Sequence, residues 1–460
     1  MKTPLNSHVH FGPRNRTPGG GEHRISSGKM PGEVMTKSFL RSAALALATA
    51  TSMLALQPAQ AATDAAAVVK HYADVAYAKY SDALSTAEVL DKAVDALIAA
   101  PSEATLKAAR EAWLAARNPY QETEVYRFGN PIVDEWEGKV NAWPLDEGLI
   151  DYVDPSYGTE SDENALFTAN VIANKTIKID GKDVDATNIT PEFLSGTLQE
   201  AGGIEANVAT GYHAIEFLLW GQDLNGTGKG AGNRSFTDYD TKNCTNGNCD
   251  RRAAYLKAAS DLLVSDLKDM VENWAPEGAA TKNVEGDAKA GIAAILTGMG
   301  SLSYGELAGE RMKLGLLLHD PEEEHDCFSD NTYNSHLHDA IGIQAAYVGE
   351  YTRVDGTKMT GPSLSELVAT KDPALDKEMK EKLATTLAAM EAMAKRGQTV
   401  EAYDQMIAEG NTEGNAVVQA AIDGLVAQAK TVERVIASLD LGTIELEGSD
   451  SLDNPNAVFQ

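Results

Sequence analysis

The chain has 460 residues, 43% of them hydrophobic and 23% charged, with 39 Lys and Arg against 68 Asp and Glu and a formal net charge of −29. This composition is typical of folded proteins, and the length exceeds the roughly 250–300 residues at which a single core stops growing. A chain with this negative charge repels phosphate backbones and anionic lipid. We therefore expect no nucleic-acid partner and consider metal ions and cationic ligands instead.

Residues 35–61 have the pattern of a secretory signal peptide. Lys37 and Arg41 precede an uncharged apolar run from Ser42 to Leu56, and the segment ends in an Ala-Gln-Ala cleavage pattern. The run is shorter than the about 20 residues that span a bilayer. We therefore expect export to the periplasm, a mature start at Ala62 and no transmembrane span once the signal is removed.

Residues 1–34 precede this signal and are rich in Gly, Pro, His and Arg. We interpret them as a disordered extension or an over-extended reading frame, since Met35 would itself start a normal signal peptide. Residues 1–61 carry seven basic and two acidic side chains, which leaves a formal charge of −34 on residues 62–460. The acidity therefore belongs to the part of the chain that we expect to fold.

Helical periodicity predominates from residue 62 onward, and alternating stretches typical of strands are few. The sequence therefore predicts an all-α protein. A first long helix is predicted from Val68 to Leu97, ending near Pro101, and a second begins at Ser102.

Residues 128–185 mix Gly, Pro and Asp and are predicted to form a long loop with short helical pieces. Thr190 followed by Pro191 is a helix start signal. A helix that begins there, or after the Gly202-Gly203 pair, is predicted to reach Leu219.

A Gly-rich segment, residues 226–250, is the clearest predicted linker. Within it, Cys244 and Cys249 flank a turn-forming sequence, so in an oxidising compartment we prefer a local disulfide between them, with Cys327 left over. Two alternatives stay open: all three thiols are reduced, or Cys327 pairs with one of the other two. We expect no metal site built from these thiols, because no second Cys-x-x-Cys-type pair exists.

The chain after this linker is again helical. Long amphipathic helices are predicted from Arg251 to Trp274 and from Asp287 to Leu318, followed by an acidic loop from Asp320 to Asn334. Residues 364–439 are predicted to hold three or four more helices, with a break at Asp372-Pro373.

These elements predict two helical-bundle domains. The N-terminal bundle would span residues 62–225 and the C-terminal bundle residues 251–442, with a tail at 443–460. Both halves open with a Tyr-containing amphipathic helix, so the pattern is compatible with a duplicated bundle.

The motif with most chemical content is Gly-x-His-x-x-Glu at residues 211–216. His213 and Glu216 are three residues apart in a predicted helix, and side chains at that spacing project from one face. An imidazole and a carboxylate so placed can share one divalent ion, as Glu-x-x-His pairs do in di-iron bundles. They can equally well hydrogen-bond to each other, and both interpretations stay open.

Several further segments accompany this motif. They are Ala-Trp-Leu-Ala-Ala-Arg at 112–117, Glu-Val-Tyr-Arg-Phe-Gly at 124–129, Trp-Pro-Leu-Asp-Glu-Gly at 143–148, Gly-Glu-Arg-Met at 309–312 and Cys-Phe-Ser-Asp-Asn-Thr at 327–332. Together, over roughly residues 65–440, they resemble the imelysin-like family, named for an insulin-cleaving envelope protease, and most closely its iron-regulated protein A branch.

The resemblance implies an exported protein of two bundle-like domains, a link to iron acquisition and a site where the domains meet. His213 and Glu216 match the family motif and are the predicted metal ligands. Glu124, Arg127 and Arg311 lie in matching segments and are predicted to bind ligand around the same cleft. Envelope iron-uptake components are the implied partners. The sequence lacks the lipobox cysteine of lipid-anchored relatives, which weighs against outer-membrane attachment.

The family is catalogued among metallopeptidases, but the sequence lacks the motif of a zinc peptidase. A His-Glu-x-x-His site needs two imidazoles one turn apart and a Glu beside the first, whereas Ala214 and Phe217 occupy those positions here. Four other His could complete a site through space, although their place in or beside the acidic loop favours solvated side chains: His319, His325, His336 and His338.

We therefore prefer a binding role for iron or another divalent metal, a metal chelate or a small polar ligand. Arg127 and Arg311 would oppose a bare cation, which favours a chelate. The alternative is a metallopeptidase that uses His213 and Glu216 as ligands. A calcium loop beginning at Asp223 is not expected, because its twelfth position is Arg234 rather than Glu. The triple Glu at 322–324 is interpreted as a solvated charge run.

Overall fold

The structure of the protein, a computed structural model, describes residues 64–162 and 164–459. The predicted extension, residues 1–34, and the predicted signal peptide, residues 35–61, lie outside the described residues. The fold is all-α, as predicted, with two short β-hairpins beside the helices. No helix among the described residues is long and apolar enough to cross a bilayer.

Two helices open the fold, α1 (Ala65–Ala99) and α2 (Glu103–Gln121). Asp64 caps α1 by accepting a hydrogen bond from the Ala66 N–H, and a reciprocal Ser102–Thr105 capping box starts α2. Helix α1 packs against both α2 and the later helix α7 (Cys249–Trp274). Each aliphatic or aromatic side chain fully buried there contributes about 1.5–3 kcal/mol.

Short elements fill the region between α2 and the Gly-rich segment. They are a 3-10 turn (Glu124–Tyr126), α3 (Pro131–Glu137), α4 (Glu147–Ile150), a 3-10 turn (Pro155–Tyr157), strands β1 (Thr176–Ile179) and β2 (Lys182–Asp185), α5 (Pro191–Phe193), a π turn (Leu194–Leu198), a 3-10 turn (Ala201–Gly203) and α6 (Gly211–Trp220).

The β1–β2 hairpin was not predicted, although its sequence signal is present. The turn residues Asp180 and Gly181 have φ of 51° and 74°, which is the Asp-Gly turn that joins antiparallel strands. The flanking strands have four residues each and are largely exposed, so the alternation of polar and apolar residues in them is too short to predict a strand.

The second half of the chain is dominated by long helices. Its elements are a 3-10 turn (Phe236–Asp238), α7, α8 (Ala279–Glu285), α9 (Ala288–Ser301), a π-helix (Leu302–Lys313), α10 (Leu314–Leu318), a 3-10 turn (Pro321–Glu323), α11 (Thr332–Val348), β3 (Glu350–Thr352), β4 (Lys358–Thr360), α12 (Leu364–Lys371), α13 (Pro373–Thr399), α14 (Tyr403–Ile407), α15 (Thr412–Ser438), α16 (Asp450–Asp453) and a 3-10 turn (Ala457–Phe459). The predicted helix at 287–318 is continuous but widens to π geometry in its middle.

The Gly-rich segment at 226–250 contains a 3-10 turn (Phe236–Asp238) and the start of α7, and it is packed against the helices. Arg234 is buried and pairs with Asp151 at 2.7 Å and with Asp238 at 3.1 Å. Arg252 also binds Asp151, at 2.6 Å. The described residues from 64 onward belong to one compact unit, so the division into two bundles on either side of the segment stays a prediction.

The cysteines in this segment are bonded to each other. A disulfide joins Cys244 to Cys249, and Cys327 is a free thiol. Burial raises the pKa of the Cys327 thiol well above its usual value, so the thiol is protonated and poorly reactive.

Candidate functional site

Helix α6 carries the Gly-x-His-x-x-Glu motif and lies in the buried core. All ten of its residues are buried. Gly211 starts the helix with φ +77°, and a Cβ at this position would lie 2.3 Å from the carbonyl oxygen of Val140. Only Gly combines that backbone conformation with so close an approach, which explains the first position of the motif.

His213 and Glu216 contact each other on one face of α6. His213 Nδ1 lies 3.2 Å from Glu216 Oε2, and the two side chains are 1% and 0% exposed. The other oxygen of Glu216 accepts hydrogen bonds from the Ser329 N–H at 2.9 Å and from the Ser329 hydroxyl at 2.6 Å. His213 Nε2 is buried and has no hydrogen-bond partner.

A loop between α10 and α11 brings two more potential ligands to His213. The His325 ring lies 4.8 Å from the His213 ring, centroid to centroid. His213, His325 and Asp326 each offer one ligand atom, and these atoms all lie within 4.8 Å of one another. Two imidazoles and a carboxylate suit iron, zinc and similar divalent metals.

The Cys-Phe-Ser-Asp-Asn-Thr segment holds this loop in place. Asn331 donates to Asp326 Oδ2 at 2.9 Å, and Ser335 donates to the same oxygen. The Asp326 N–H donates to the Thr332 hydroxyl at 2.8 Å. These contacts hold Asp326 in place within the loop. The hydrogen bonds from Ser329 to Glu216 join the same loop to α6.

Arg117 on α2 lies beside the same group. Its guanidinium is fully buried and donates to Asp326 Oδ1 at 2.7 Å and to Asn141 Oδ1 at 2.6 Å. Arg117 Nη2 is also 3.5 Å from His325 Nδ1. This arginine therefore neutralises the carboxylate that a metal ion would use.

Burial dominates the electrostatics of the group. Burial, assisted by Arg117, lowers the pKa of His213 to about 3, and burial with the charge of Arg311 lowers the pKa of His325 well below its usual range. Burial would raise the pKa of Asp326, but Arg117 holds it below its usual value. Two neutral imidazoles thus face an ionised carboxylate, which is the protonation state that metal ligands require.

Glu216 is in the opposite situation. Burial and the nearby charge of Asp326 raise the pKa of Glu216 well above its usual value, against the two hydrogen bonds from Ser329. The neutral carboxyl form of Glu216 is therefore favoured, and its Oε2 lies 3.2 Å from His213 Nδ1. A cation near Asp326 would oppose that repulsion and favour the ionised carboxylate.

The structure places the predicted ligand-binding residues in an ion-pair network. Arg311 Nη2 binds Glu124 Oε2 at 2.7 Å and Glu306 Oε1 at 2.8 Å, and Arg127 binds Asp134 at 2.8 Å and Glu306 at 3.5 Å. Arg311 lies in the π-helix, a geometry that often marks functional sites. Both arginines have acidic partners, and a ligand-binding role for them and for Glu124 stays a prediction.

The expectation of solvated histidines is wrong for His325 and His336, which are 1% and 0% exposed. Their rings are 6.2 Å apart, so a row of imidazoles extends from His213 through His325 to His336. His319 and His338 are half-buried and bind the Ile407 carbonyl and Glu122 respectively.

Sequence reasoning did not identify His325, Asp326 and Arg117 as a group. The available signal was the position of His325-Asp326 directly before the Cys-Phe-Ser-Asp-Asn-Thr segment and of Arg117 in the Trp-Leu-Ala-Ala-Arg segment. The triple Glu is only partly solvated, because Glu324 is 1% exposed.

Comparisons with known proteins agree with the resemblance noted from the sequence. A profile of the imelysin family matches residues 76–432. The curated iron-regulated protein A of Synechococcus elongatus is 35% identical over 71 residues, which are 15% of this chain and only 20% of that protein. A solved chain from Parabacteroides distasonis, described as an iron-regulated protein A precursor, superimposes with a TM-score of 0.58 at 19% identity, over 81% of this chain and 94% of that one. The latter match shows a shared fold.

Proposed function

Because the chain belongs to the imelysin family, we propose that it binds iron or another divalent metal at a centre formed by His213, His325 and Asp326, as a binding protein of iron acquisition. The observation that carries the proposal is the bare Nε2 of His213. This nitrogen is buried and has no hydrogen-bond partner. His213 also belongs, with His325 and Asp326, to a group whose ligand atoms all lie within 4.8 Å of one another. A buried polar atom without a partner is costly, and a metal ion would satisfy it.

Glu216 acts on this centre through His213. A metal-binding His commonly donates its second ring N–H to a carboxylate, which fixes the ring and strengthens the ligand. With the proton on Nδ1, the 3.2 Å contact to Glu216 leaves the lone pair on Nε2. In this interpretation the Gly-x-His-x-x-Glu motif supplies one ligand and its orienting carboxylate, rather than two ligands.

A bare ion is now preferred over a chelate. The sequence favoured a chelate because Arg127 and Arg311 would repel a free cation, but both arginines have carboxylate partners of their own. Arg117 forms an ion pair with Asp326 at 2.7 Å and would compete with a metal for that carboxylate.

The cellular role and the compartment extend this proposal. Two similar proteins carry the name iron-regulated protein A, which supports a link to iron. The predicted signal at residues 35–61 and the disulfide between Cys244 and Cys249 support a periplasmic location. The expected partners are envelope components of iron uptake.

Calorimetric titration of the chelator-treated protein with Fe(II) under anaerobic conditions, and with Zn(II), tests the proposal. We expect one strong site in the native protein and a loss of about 100-fold or more in affinity in His213→Ala. Glu216→Ala should lose about 10–100-fold, the usual effect of removing an orienting carboxylate. His319→Ala, which removes a His outside the centre, is the control and should bind normally. Equal affinities in the native protein and His213→Ala would overturn the proposal.

A metallopeptidase that uses His213 and Glu216 as ligands is the alternative. The specific observation in favour of a peptidase is the donor set of His213, His325 and Asp326, since two His and a carboxylate also hold catalytic zinc. In that set Asp326 takes the place of Glu216. The burial of the whole group opposes it, because an extended peptide would need access to the ion. Cleavage of a denatured protein substrate that disappears with chelator and in His213→Ala would replace the binding role by this one.

A further inference from the structure

A second group of potential ligands lies beside the histidine centre and consists of carboxylates alone. Glu324, Asp330 and Asp404 each offer one oxygen, and these oxygens all lie within 4.8 Å of one another. Glu324 follows the 3-10 turn Pro321–Glu323, Asp330 belongs to the loop before α11, and Asp404 lies in the first turn of α14. Two residues of the loop before α11 and one residue of α14 therefore come together.

The carboxylate of Asp404 is the feature that points to a ligand. It is 1% exposed, and neither of its oxygens has a hydrogen-bond partner. Glu324 is also 1% exposed. Glu324 and Asp330 each have one buried oxygen without a hydrogen-bond partner. Among the described residues, no ion pair involves any of the three. Buried carboxylates without partners are costly, and a bound cation would supply the compensating charge.

An independent observation is a surface pocket whose lining includes Glu324. Its wall includes Glu147, Asp223 and Glu322 together with Glu324, and no Lys, Arg or His lines it. Asp223, which the sequence excludes from an EF-hand calcium loop, thus lies in an acidic pocket wall that it shares with Glu324. A pocket lined by one sign of charge concentrates counter-ions.

The mutual repulsion of these groups shows in their protonation. Burial and the neighbouring carboxylates raise the pKa of Asp404 to about 7, and burial with Asp223 does the same for Asp330. Each carboxylate is thus held in an environment that either a proton or a metal cation would relieve.

We propose that Glu324, Asp330 and Asp404 form a second cation site, which takes a hard divalent ion such as Ca²⁺ through oxygen ligands. Hard cations prefer carboxylate and carbonyl oxygens, whereas the His213 centre offers imidazole nitrogens that suit iron and zinc. The two sites therefore select different ions. This inference does not depend on the metal proposed for the histidine centre.

A cation at this site would fasten the loop at residues 324–332 to helix α14. The same loop carries Ser329, which holds Glu216, and Asp326. Binding of Ca²⁺ would therefore stabilise the loop that completes the histidine centre, while its own ligands lie outside that centre.

Thermal unfolding of the full chain, first treated with chelator and then measured with and without CaCl₂, tests the proposal. We expect Ca²⁺ to raise Tm by roughly 5 °C or more at saturating concentration. Asp404→Asn keeps the shape and removes one charge, so it should fold at least as well without Ca²⁺ and lose the Ca²⁺ response. Glu409→Gln, which changes an exposed acid two residues beyond α14, is the matched control and should respond normally.

Asp330→Asn provides a second variant in case Asp404→Asn fails to fold, and it too should lose the response. Zn(II) titration of both variants should remain normal, which separates this site from the histidine centre. If the native protein shows no Ca²⁺ response by Tm or calorimetry, the group only shares protons and the proposal is wrong. A Ca²⁺ response that persists in both Asn variants would place the ion elsewhere and would also overturn it.

Discussion

Replacing Arg117 by Met is expected to lower the free energy of unfolding of the metal-free protein by about 3–5 kcal/mol. Arg117 is fully buried and neutralises Asp326 through a 2.7 Å ion pair. Removal of one partner leaves the other charge buried and uncompensated. Chemical denaturation in the presence of chelator measures this loss.

The same substitution should strengthen metal binding. Without the guanidinium, Asp326 is free to bind an ion, and the ion supplies the missing positive charge. Zn(II) or Fe(II) should therefore bind Arg117→Met more tightly than the native protein and raise its Tm by a larger increment. This combination of a weaker apo fold and a larger metal response is specific to competition for Asp326.

Arg110→Met is the matched control for this experiment. Arg110 lies two turns earlier on α2 and donates only to the carbonyls of Leu219 and Arg234. Its loss should leave the metal-induced increment unchanged. If Arg117→Met shows the same increment as the native protein, Asp326 is not a ligand and the assignment of the centre is wrong.

Gly211→Ala is expected to destabilise the protein by about 2–5 kcal/mol. A residue other than Gly in the left-handed region costs about 1–2 kcal/mol, and overpacking adds about 1–3 kcal/mol. The overpacking arises because the new Cβ would lie 2.3 Å from the Val140 carbonyl oxygen. Since α6 begins at Gly211, the shift should move His213 and weaken metal binding as well. Denaturation and zinc titration measure the two effects.

Gly181→Ala separates the cost of the left-handed backbone conformation from the cost of overpacking. Gly181 has φ +74°, almost the same as Gly211, but no atom lies within 4 Å of the position of its Cβ. It should therefore lose only the conformational part and bind metal normally. Equal destabilisation in the two variants would show that the contact with Val140 does not constrain the start of α6.

The sequence was sufficient for the local features of the fold. The long helices at 65–99 and 249–274 follow from their apolar periodicity, and Pro101 and Ser102 separate the first two helices as expected. The β1–β2 hairpin was missed because strands of four residues carry little periodic signal. The packing of the Gly-rich segment was also missed, since Arg234 is held by Asp151, a partner 83 residues away that no local pattern reveals.

The same contrast between local and long-range contacts explains why only part of the site was predicted. His213 and Glu216 share one helical face, so their spacing identified them. His325 and Asp326 reach them only through tertiary structure, and the contact between Glu216 and Ser329 joins residues 113 positions apart. The composition of the acidic loop predicts solvated side chains, whereas the fold buries Glu324, His325 and Asp326. The sequence shows that Arg127 and Arg311 are charged, but it does not show which carboxylates they pair with in the fold.

The location of bound metal in crystals tests the central claim most directly. Anomalous diffraction at the iron or zinc absorption edge, from crystals loaded with one equivalent of metal, should give a peak beside His213 Nε2 that also contacts His325 and Asp326. Glu216 should remain on the far side of the His213 ring. A strong peak at any other position, with His213 Nε2 still without a ligand, would contradict the account.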